Sequence, residues 1–392
     1  MSAKHGVLLT GFPSNELACA VLGRLLETEP HARIICLVPE RFMEAAESWL
    51  ASRSEGEQAR VELLEGDVAA IDMGLSGAEY RALMARVRRI HHCAAVTYSG
   101  APLEMAEQVN VGGTHEVLEL GRAIRRVERI VHWSTLSAVG DVRGVVTEST
   151  LVEPASTRLM HTRFLAERQM WRARSELPIT VLRPALLVGD RERGVLRRVE
   201  GLHLLIAGIM ATPRELPLPV LGLPDAPLQA VPIDYAVDAG LTLARAKDTV
   251  GQTLHIVESS PPSLGQVFAC LSDLIGRPPP VGAVPLALTR MLTRLPGLTR
   301  VVHAQRALLE EVGRNVRVDD GQARQILARA GLVCPPLLTH LPRLVQHVAE
   351  HRGGMAPRFT LAAENRAAKG SMSMAASKRA GMGRAPRRTA PP

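Results

Sequence analysis

Aromatic side chains are scarce in this sequence, with five Phe, three Trp and three Tyr among 392 residues. Stacking platforms for single-stranded nucleic acid are therefore nearly absent, and no specific nucleic-acid partner is expected. Cysteine is equally sparse: Cys19, Cys36, Cys93, Cys270 and Cys334 are odd in number, widely spaced and free of any CxxC pair. That pattern excludes a zinc ribbon or dithiol motif and fits reduced core thiols of a cytoplasmic protein. No metal-ligand spacing occurs, so no metal is expected. The longest apolar run, Leu202 to Thr212, contains a His and is too short to cross a bilayer. The opening MSAKH leaves no room for a signal peptide before the first apolar run.

Acidic residues are missing from the C-terminal end. From Arg352 onward there are nine basic residues and one acid, Glu364; without them the 47 Lys and Arg and 39 Asp and Glu fall to 38 of each. The formal charge of +8 thus belongs to a tail, and the body is neutral.

What is present is alternation. Short apolar runs at Val7 to Thr10, Ile34 to Val38, Val61 to Leu64, Val87 to His92, Arg129 to Trp133 and Pro178 to Leu182 read as strands, several of them buried on both faces. Between them, Glu16 to Leu26, Met105 to Arg125 and Met160 to Ser175 read as helices. The predicted class is α/β, a doubly wound parallel sheet of Rossmann type whose ligand crevice lies at the carboxyl ends of the strands. Beyond Gly189 five prolines from Pro213 to Pro227 loosen the pattern, and short strands at Gln229 to Ile233 and Thr253 to Val257 alternate with helices. The expected organisation is a nucleotide-binding domain over 1–190 and a smaller, discontinuous C-terminal cap over 191–352, some of whose strands return to the main sheet. A disordered basic tail over 353–392 follows, too poor in apolar residues to offset the cost of ordering.

A dinucleotide site wants glycines at three places after the first strand: for the tight turn, for backbone approach to the pyrophosphate and for helix packing. In Thr10-Gly11-Phe12-Pro13-Ser14-Asn15-Glu16-Leu17 only Gly11 remains, with Ser14 and Leu17 at the other two places. Ser14 is small and carries a hydroxyl for a phosphate, whereas Leu17 is bulky where the helix should approach the sheet. An ordinary βα turn would read the same way.

Further stretches follow in order: Gly66-Asp67, HHCAAVTYS at 91 to 99, NVGGT at 110 to 114, VHWSTLSAVG at 131 to 140, FLAE at 164 to 167, VLRPALLVG at 181 to 189 and VPIDYAVDA at 231 to 239. Together with VLLTGF at 7 to 12, they make the chain resemble an extended short-chain dehydrogenase/reductase. The nearest subgroup is that of the thioester reductase domains and fatty acyl reductases, the male-sterility-type NAD-binding domain. The resemblance covers roughly 1 to 260, with a weaker echo over 315 to 347.

The resemblance implies an NAD or NADP cofactor held by Thr10, Gly11, Phe12, Ser14 and Asn15 in the first turn. It places the adenine at Asp67, the small residues Cys93, Ala94 and Ala95 along the nicotinamide ribose, and Pro184 at the end of the sixth strand. Asn110 would be the structural and proton-relay Asn, with a helix cap as the other reading. An Arg directly after the second strand would accept a 2′-phosphate and a carboxylate the ribose hydroxyl; Pro39-Glu40-Arg41 leaves the choice of NAD or NADP open, with Arg41 the candidate contact. Thr135 falls where a hydroxyl hydrogen-bonds the substrate carbonyl.

The catalytic pair departs from the family. A Tyr that transfers the proton and a Lys four residues later share one helix face, but anchoring on Ala166-Glu167 puts Leu159 and Arg163 at those places. Arg163 still offers charge to the ribose; it is a poor proton shuttle. His161 and Tyr98 are the replacement proton donors to consider. His91, His92 and His132 read as packed core residues. Pro285 to His303 interleaves leucines with Arg290, Arg294 and Arg300, fitting either weak peripheral contact with an anionic membrane or a helix packed on the cap. The implied function is an NAD(P)H-dependent oxidoreductase on a lipid-like or acyl thioester carbonyl, with a small-molecule acyl substrate as partner and room for a homodimer. The alternative is a catalytically impaired member that binds a nucleotide or acyl ligand as a sensor or scaffold.

Overall fold

A computed structural model describes residues 6–97, 101–140, 142, 144–153, 158–196, 201–284 and 316–351. The strands are β1 (Gly6–Thr10), β2 (Arg33–Val38), β3 (Val61–Glu65), β4 (Val87–His92), β5 (Arg129–Trp133), β6 (Gly144–Val146), β7 (Ile179–Pro184), β8 (Leu186–Val188), β9 (Val220–Leu221), β10 (Ala230–Pro232), β11 (Thr253–Ile256), β12 (Ala283–Val284) and β13 (Val316–Val318). The helices are α1 (Glu16–Thr28), α2 (Met43–Ala51), α3 (Glu55–Gln58), α4 (Gly77–Arg86), α5 (Leu103–Ala106), α6 (Gly113–Ala123), α7 (Arg158–Ala173), α8 (Gly201–Ala211), α9 (Ile233–Arg245), α10 (Leu264–Ile275), α11 (Gly321–Arg329) and α12 (Leu337–His351).

Seven strands form one parallel sheet in the order β11-β7-β5-β4-β1-β2-β3. The chain runs outward in both directions from β1 and β4, so the crevice opens where these two strands part, at their carboxyl ends. Alternation along β1 divides the core. Val7 and Leu9 point to the layer of α1, α9 and α11, and Leu8 points to the layer of α4, α6 and α7. Each fully buried Leu or Val contributes roughly 1.5–3 kcal/mol. Gly240 lets α9 press onto the sheet, since a Cβ there would collide with the Trp133 ring.

A separate apolar cluster joins α8, α10 and α12 through Leu202, Ile206, Phe268, Leu271, Leu341 and Val345. Paired strands β8–β10 and β9–β12 lie beside it, while β11 returns to the edge of the main sheet. The expected single helix over Met105 to Arg125 is instead α5, a π-turn over Glu107–Gly112 and α6. The wider turn brings Asn110 against the loop after β4, where its amide pairs both polar groups of the Val96 backbone. The stretch Pro285 to His303 and the tail beyond His351 lie outside the described residues, and among the described residues no helix is long and apolar enough to cross a membrane.

Candidate active site

Parallel strands bring their carboxyl ends to one edge, so the segments after β1, β2, β3, β4, β5 and β7 converge there. The β1 turn depends on Gly11, whose φ is +89° and whose Cβ would lie 2.7 Å from the Ala94 nitrogen. Only glycine permits this contact between the turn and the end of β4. Phe12 is fully buried and meets the Trp49 ring edge-on, centroids 5.1 Å apart. Ser14 donates its hydroxyl to the Gly11 carbonyl at 3.2 Å. Asn15 caps α1, its Oδ1 accepting from Leu17 N at 2.9 Å, and its Nδ2 donates to the Cys93 carbonyl at 2.7 Å. Leu17 is buried in the core beneath α1, and Glu16 puts an acid in the first turn, where the helix end favours anions.

Arg41 bridges the ends of β2 and β3, its Nη1 lying 3.3 Å from Asp67 Oδ2. The other Asp67 oxygen accepts from Ala69 N at 3.0 Å. Cys93 is buried, with Ala94 and Ala95 half-buried beside it. Pro184 ends β7 buried in register with Ile256.

A buried chain of hydrogen bonds runs under this edge. Thr114 Oγ1 donates to the Asn110 carbonyl at 2.7 Å, so it accepts from His92 Nε2 at 3.3 Å, and His92 Nδ1 then accepts from Thr10 Oγ1 at 2.8 Å. The tautomer follows from a hydroxyl having one proton to give. Asn110 also donates to Thr162 Oγ1 at 2.8 Å, which donates to the Leu159 carbonyl at 2.8 Å. Burial holds His91 down at about 3 and His132 at about 4, and pushes His92 far below the ordinary imidazole value, with His132 nearby adding to it. The three histidines are packed core residues, as the sequence predicts.

After β5, Thr135 caps a 3₁₀ turn over Leu136–Val139. Its Oγ1 lies 3.1 Å from Ser137 Oγ and accepts from Ser137 N at 3.4 Å. Arg163 reaches across from α7, and its Nη1 donates to Ser137 Oγ at 3.4 Å. One turn further along α7, Glu167 is almost fully buried, accepting from Ser134 Oγ at 2.6 Å and from Arg183 Nε at 2.7 Å. Arg183 continues to His255 Nε2 at 3.2 Å, and His255 Nδ1 donates to the Asp319 carbonyl at 2.9 Å. Burial and then the Arg183 charge push His255 down to about 4. An apolar cavity of about 20 Å³ sits against the turn, lined by Leu136, Val139, Val146, Pro227, Gln229, Val316 and Val318.

The structure therefore joins Thr135 to Arg163 through Ser137, a residue the sequence reading did not single out. His161 is not part of this cluster: its Nδ1 lies 3.4 Å from Glu153 on a half-exposed face. Tyr98 lies outside the described residues. No group of three or more potential metal ligands occurs among the described residues.

The residues fit a dinucleotide. The β1 turn, the capped start of α1, the Arg41–Asp67 pair and the small side chains after β4 lie together at the carboxyl edge of the sheet.

Residues 9–240 match the family model described as Male sterility protein. The chain is 22% identical over 214 residues to the fatty acyl-CoA reductase wat of Drosophila melanogaster, covering 48% of this chain and 41% of that protein. It is 25% identical over 260 residues to the non-canonical nonribosomal peptide synthetase cpsA of Aspergillus campestris, covering 61% of this chain and 24% of that one. The chain thus spans less than half the length of these relatives. Among solved structures, the terminal R domain from the myxalamid PKS-NRPS biosynthetic pathway superposes with a TM-score of 0.75 at 23% identity, over 91% of this chain and 94% of that chain. That likeness establishes a shared fold.

Proposed function

Because the chain belongs to the male sterility protein family, whose members bind NAD(P), we propose that it is an NAD(P)H-dependent oxidoreductase acting on the carbonyl of an acyl substrate. The observation that carries this reading is the placement of Thr135 at the carboxyl end of β5, half-buried and backed by Ser137 and the Arg163 guanidinium. A hydroxyl so placed polarises a carbonyl. Gly11, Phe12, Ser14 and Asn15 would hold the pyrophosphate; Asp67 and Arg41 the adenosine; Cys93, Ala94, Ala95, Asn110 and Pro184 the nicotinamide end. The bound nucleotide supplies the hydride. The protein's own part is to orient the carbonyl, exclude water with the apolar residues around Leu136 and Val139, and meet the developing negative charge with hydrogen-bond donors.

The 191–352 region is read as the part that shapes the acyl pocket, with its own core joining α8, α10 and α12 supporting that role. The cysteines form no disulfide among the described residues, which fits the cytoplasm. A homodimer and weak contact with acidic membrane surfaces through the basic segments complete the reading; sedimentation with and without anionic vesicles checks both.

The test is oxidation of NADPH or NADH by the purified chain with a panel of acyl thioesters and aldehydes, with Thr135→Val as control. Turnover that Thr135→Val abolishes supports the reading. A nucleotide-dependent rise in melting temperature with no turnover of any carbonyl would leave a binding protein in its place.

A further inference from the structure

We propose that the polar cleft beside β11 is a second binding site, separate from the crevice at the Thr135 turn, and that it takes a short peptide with free ends. Its cavity measures about 310 Å³ and shares no lining residue with the apolar one against Leu136 and Val139. The start of β11, the end of α7, the loop after β6 and the first turns of α11 enclose it. Its lining includes Arg174, Gln252, Thr253, Asp319 and Gln325.

Thr253 offers its backbone. Among the described residues β11 is an outermost strand of the sheet, with β7 on one side only. Val181 N takes the Gln252 carbonyl across the ladder, which turns the N–H and C=O of the next residue, Thr253, to the outer edge. The His255 N–H, two residues on, faces the same way and donates to Glu148 Oε1 at 3.0 Å. Glu148 thus closes the edge at the next outward N–H, and β11 itself begins at Thr253. Room remains for one added residue, whose C=O accepts from Thr253 N and whose N–H donates to the Thr253 carbonyl.

Charge decides what flanks that residue. Arg174 is exposed, and its guanidinium lies over the Trp171 ring, 4.2 Å from the centroid. Asp319 Oδ1 accepts from Gly321 N at 3.0 Å. Among the described residues neither side chain has an ionic partner, and the two do not pair with each other. A cation and an anion left apart in one cleft complement a zwitterion whose carboxylate reaches Arg174 and whose ammonium reaches Asp319. A single amino acid holds those charges on one carbon and carries no amide. A tripeptide separates its ends by two Cα steps of about 3.8 Å each and presents a central N–H and C=O to Thr253. A lone phosphate fits less well, because the first N–H groups of α11 are already taken: Gln322 N and Ala323 N donate to Glu148 at 3.0 and 3.2 Å, and Gly321 N to Asp319.

The test titrates trialanine, whose side chains are uncharged, into the full chain by calorimetry without nucleotide, so that it is independent of turnover. The expected dissociation constant is on the order of 1 mM. Arg174→Gln and Asp319→Asn should each weaken binding roughly tenfold, as should blocking the peptide as its C-terminal amide or its N-acetyl derivative. Arg172→Gln, exposed on α7 but outside the cleft, should leave affinity unchanged. Hydrogen exchange at the Thr253 amide should slow when trialanine binds, and methylation of the central peptide nitrogen should remove most of the affinity. No binding at about 20 mM trialanine overturns the proposal. So does binding that either Arg174→Gln or Asp319→Asn leaves intact, or that Arg172→Gln weakens as much as Arg174→Gln.

Discussion

Acidification from pH 7 to pH 5 should remove a large part of this fold's stability, because its core holds imidazoles that are kept neutral. Burial lowers His91 to about 3 and His132 to about 4, and burial with the Arg183 charge lowers His255 to about 4. An unfolded His titrates near 6.5. Folded values below the unfolded one mean that only the unfolded chain takes up protons in this window, so stability falls as pH drops from about 6.5 toward 4. Each of the three contributes a loss of about 2 kcal/mol by pH 5, about 6 kcal/mol together. His92, displaced in the same direction by burial and His132, adds to it. Glu258 opposes the trend: burial raises it to about 7, so its protonation returns about 2 kcal/mol. The net loss of roughly 4 kcal/mol is a large share of the roughly 5–15 kcal/mol typical of a domain. Urea unfolding followed by circular dichroism at pH 7, 6 and 5 measures it. A midpoint unchanged across that range would refute the assignment of these histidines as neutral core residues.

Three further outcomes follow from single side chains. Glu258 sits 3.0 Å from Leu337 N at the start of α12, with a folded pKa above its unfolded one; its favourable contribution is complete below about 4.5 and lost as pH rises through about 7. Glu258→Gln should therefore raise the melting temperature at pH 8 and leave it nearly unchanged at pH 5. Arg41, ion-paired with Asp67 at 3.3 Å and largely exposed, should lower KM for NADPH relative to NADH, so Arg41→Ala is expected to raise the NADPH KM roughly tenfold with little change for NADH. Gly11→Ala forces a side chain into positive φ and to 2.7 Å from the Ala94 nitrogen; a loss of about 2–4 kcal/mol in denaturant unfolding, together with loss of the nucleotide-induced thermal shift, is the expected result.

The main sheet was legible because its strands are short apolar runs closed by turn residues: Val87–His92 and Arg129–Trp133 end where the sequence reading ends them. Periodicity reported the α1 face in the same way. It failed over Met105 to Arg125, where a local pattern reads as one helix but the amide of Asn110 holds the Val96 backbone and Thr162, and the chain widens into a π-turn to reach them. The positions of Thr135 and Arg163 could be placed by spacing from neighbouring blocks. Their coupling could not, because it passes through Ser137 on a 3₁₀ turn 26 residues before Arg163. The Arg183 contacts, 16 residues back to Glu167 and 72 forward to His255, are likewise invisible to any sequence window.

The two departures from the family pattern have a common physical sense once their contacts are known. At the β1 turn, Asn15 ties the start of α1 to the Cys93 carbonyl, so a side chain supplies a contact between the turn and β4 that does not depend on the second glycine. On α7, Arg163 retains the positive charge of the Lys place, while Leu159 removes the proton of the Tyr place. Loss of the general acid alone would cost on the order of 10² to 10⁴ in rate wherever the product must be protonated on oxygen. It costs far less where the oxyanion collapses by expelling a leaving group and needs only electrostatic stabilisation. Charge kept and proton lost is the combination that separates those two reactions.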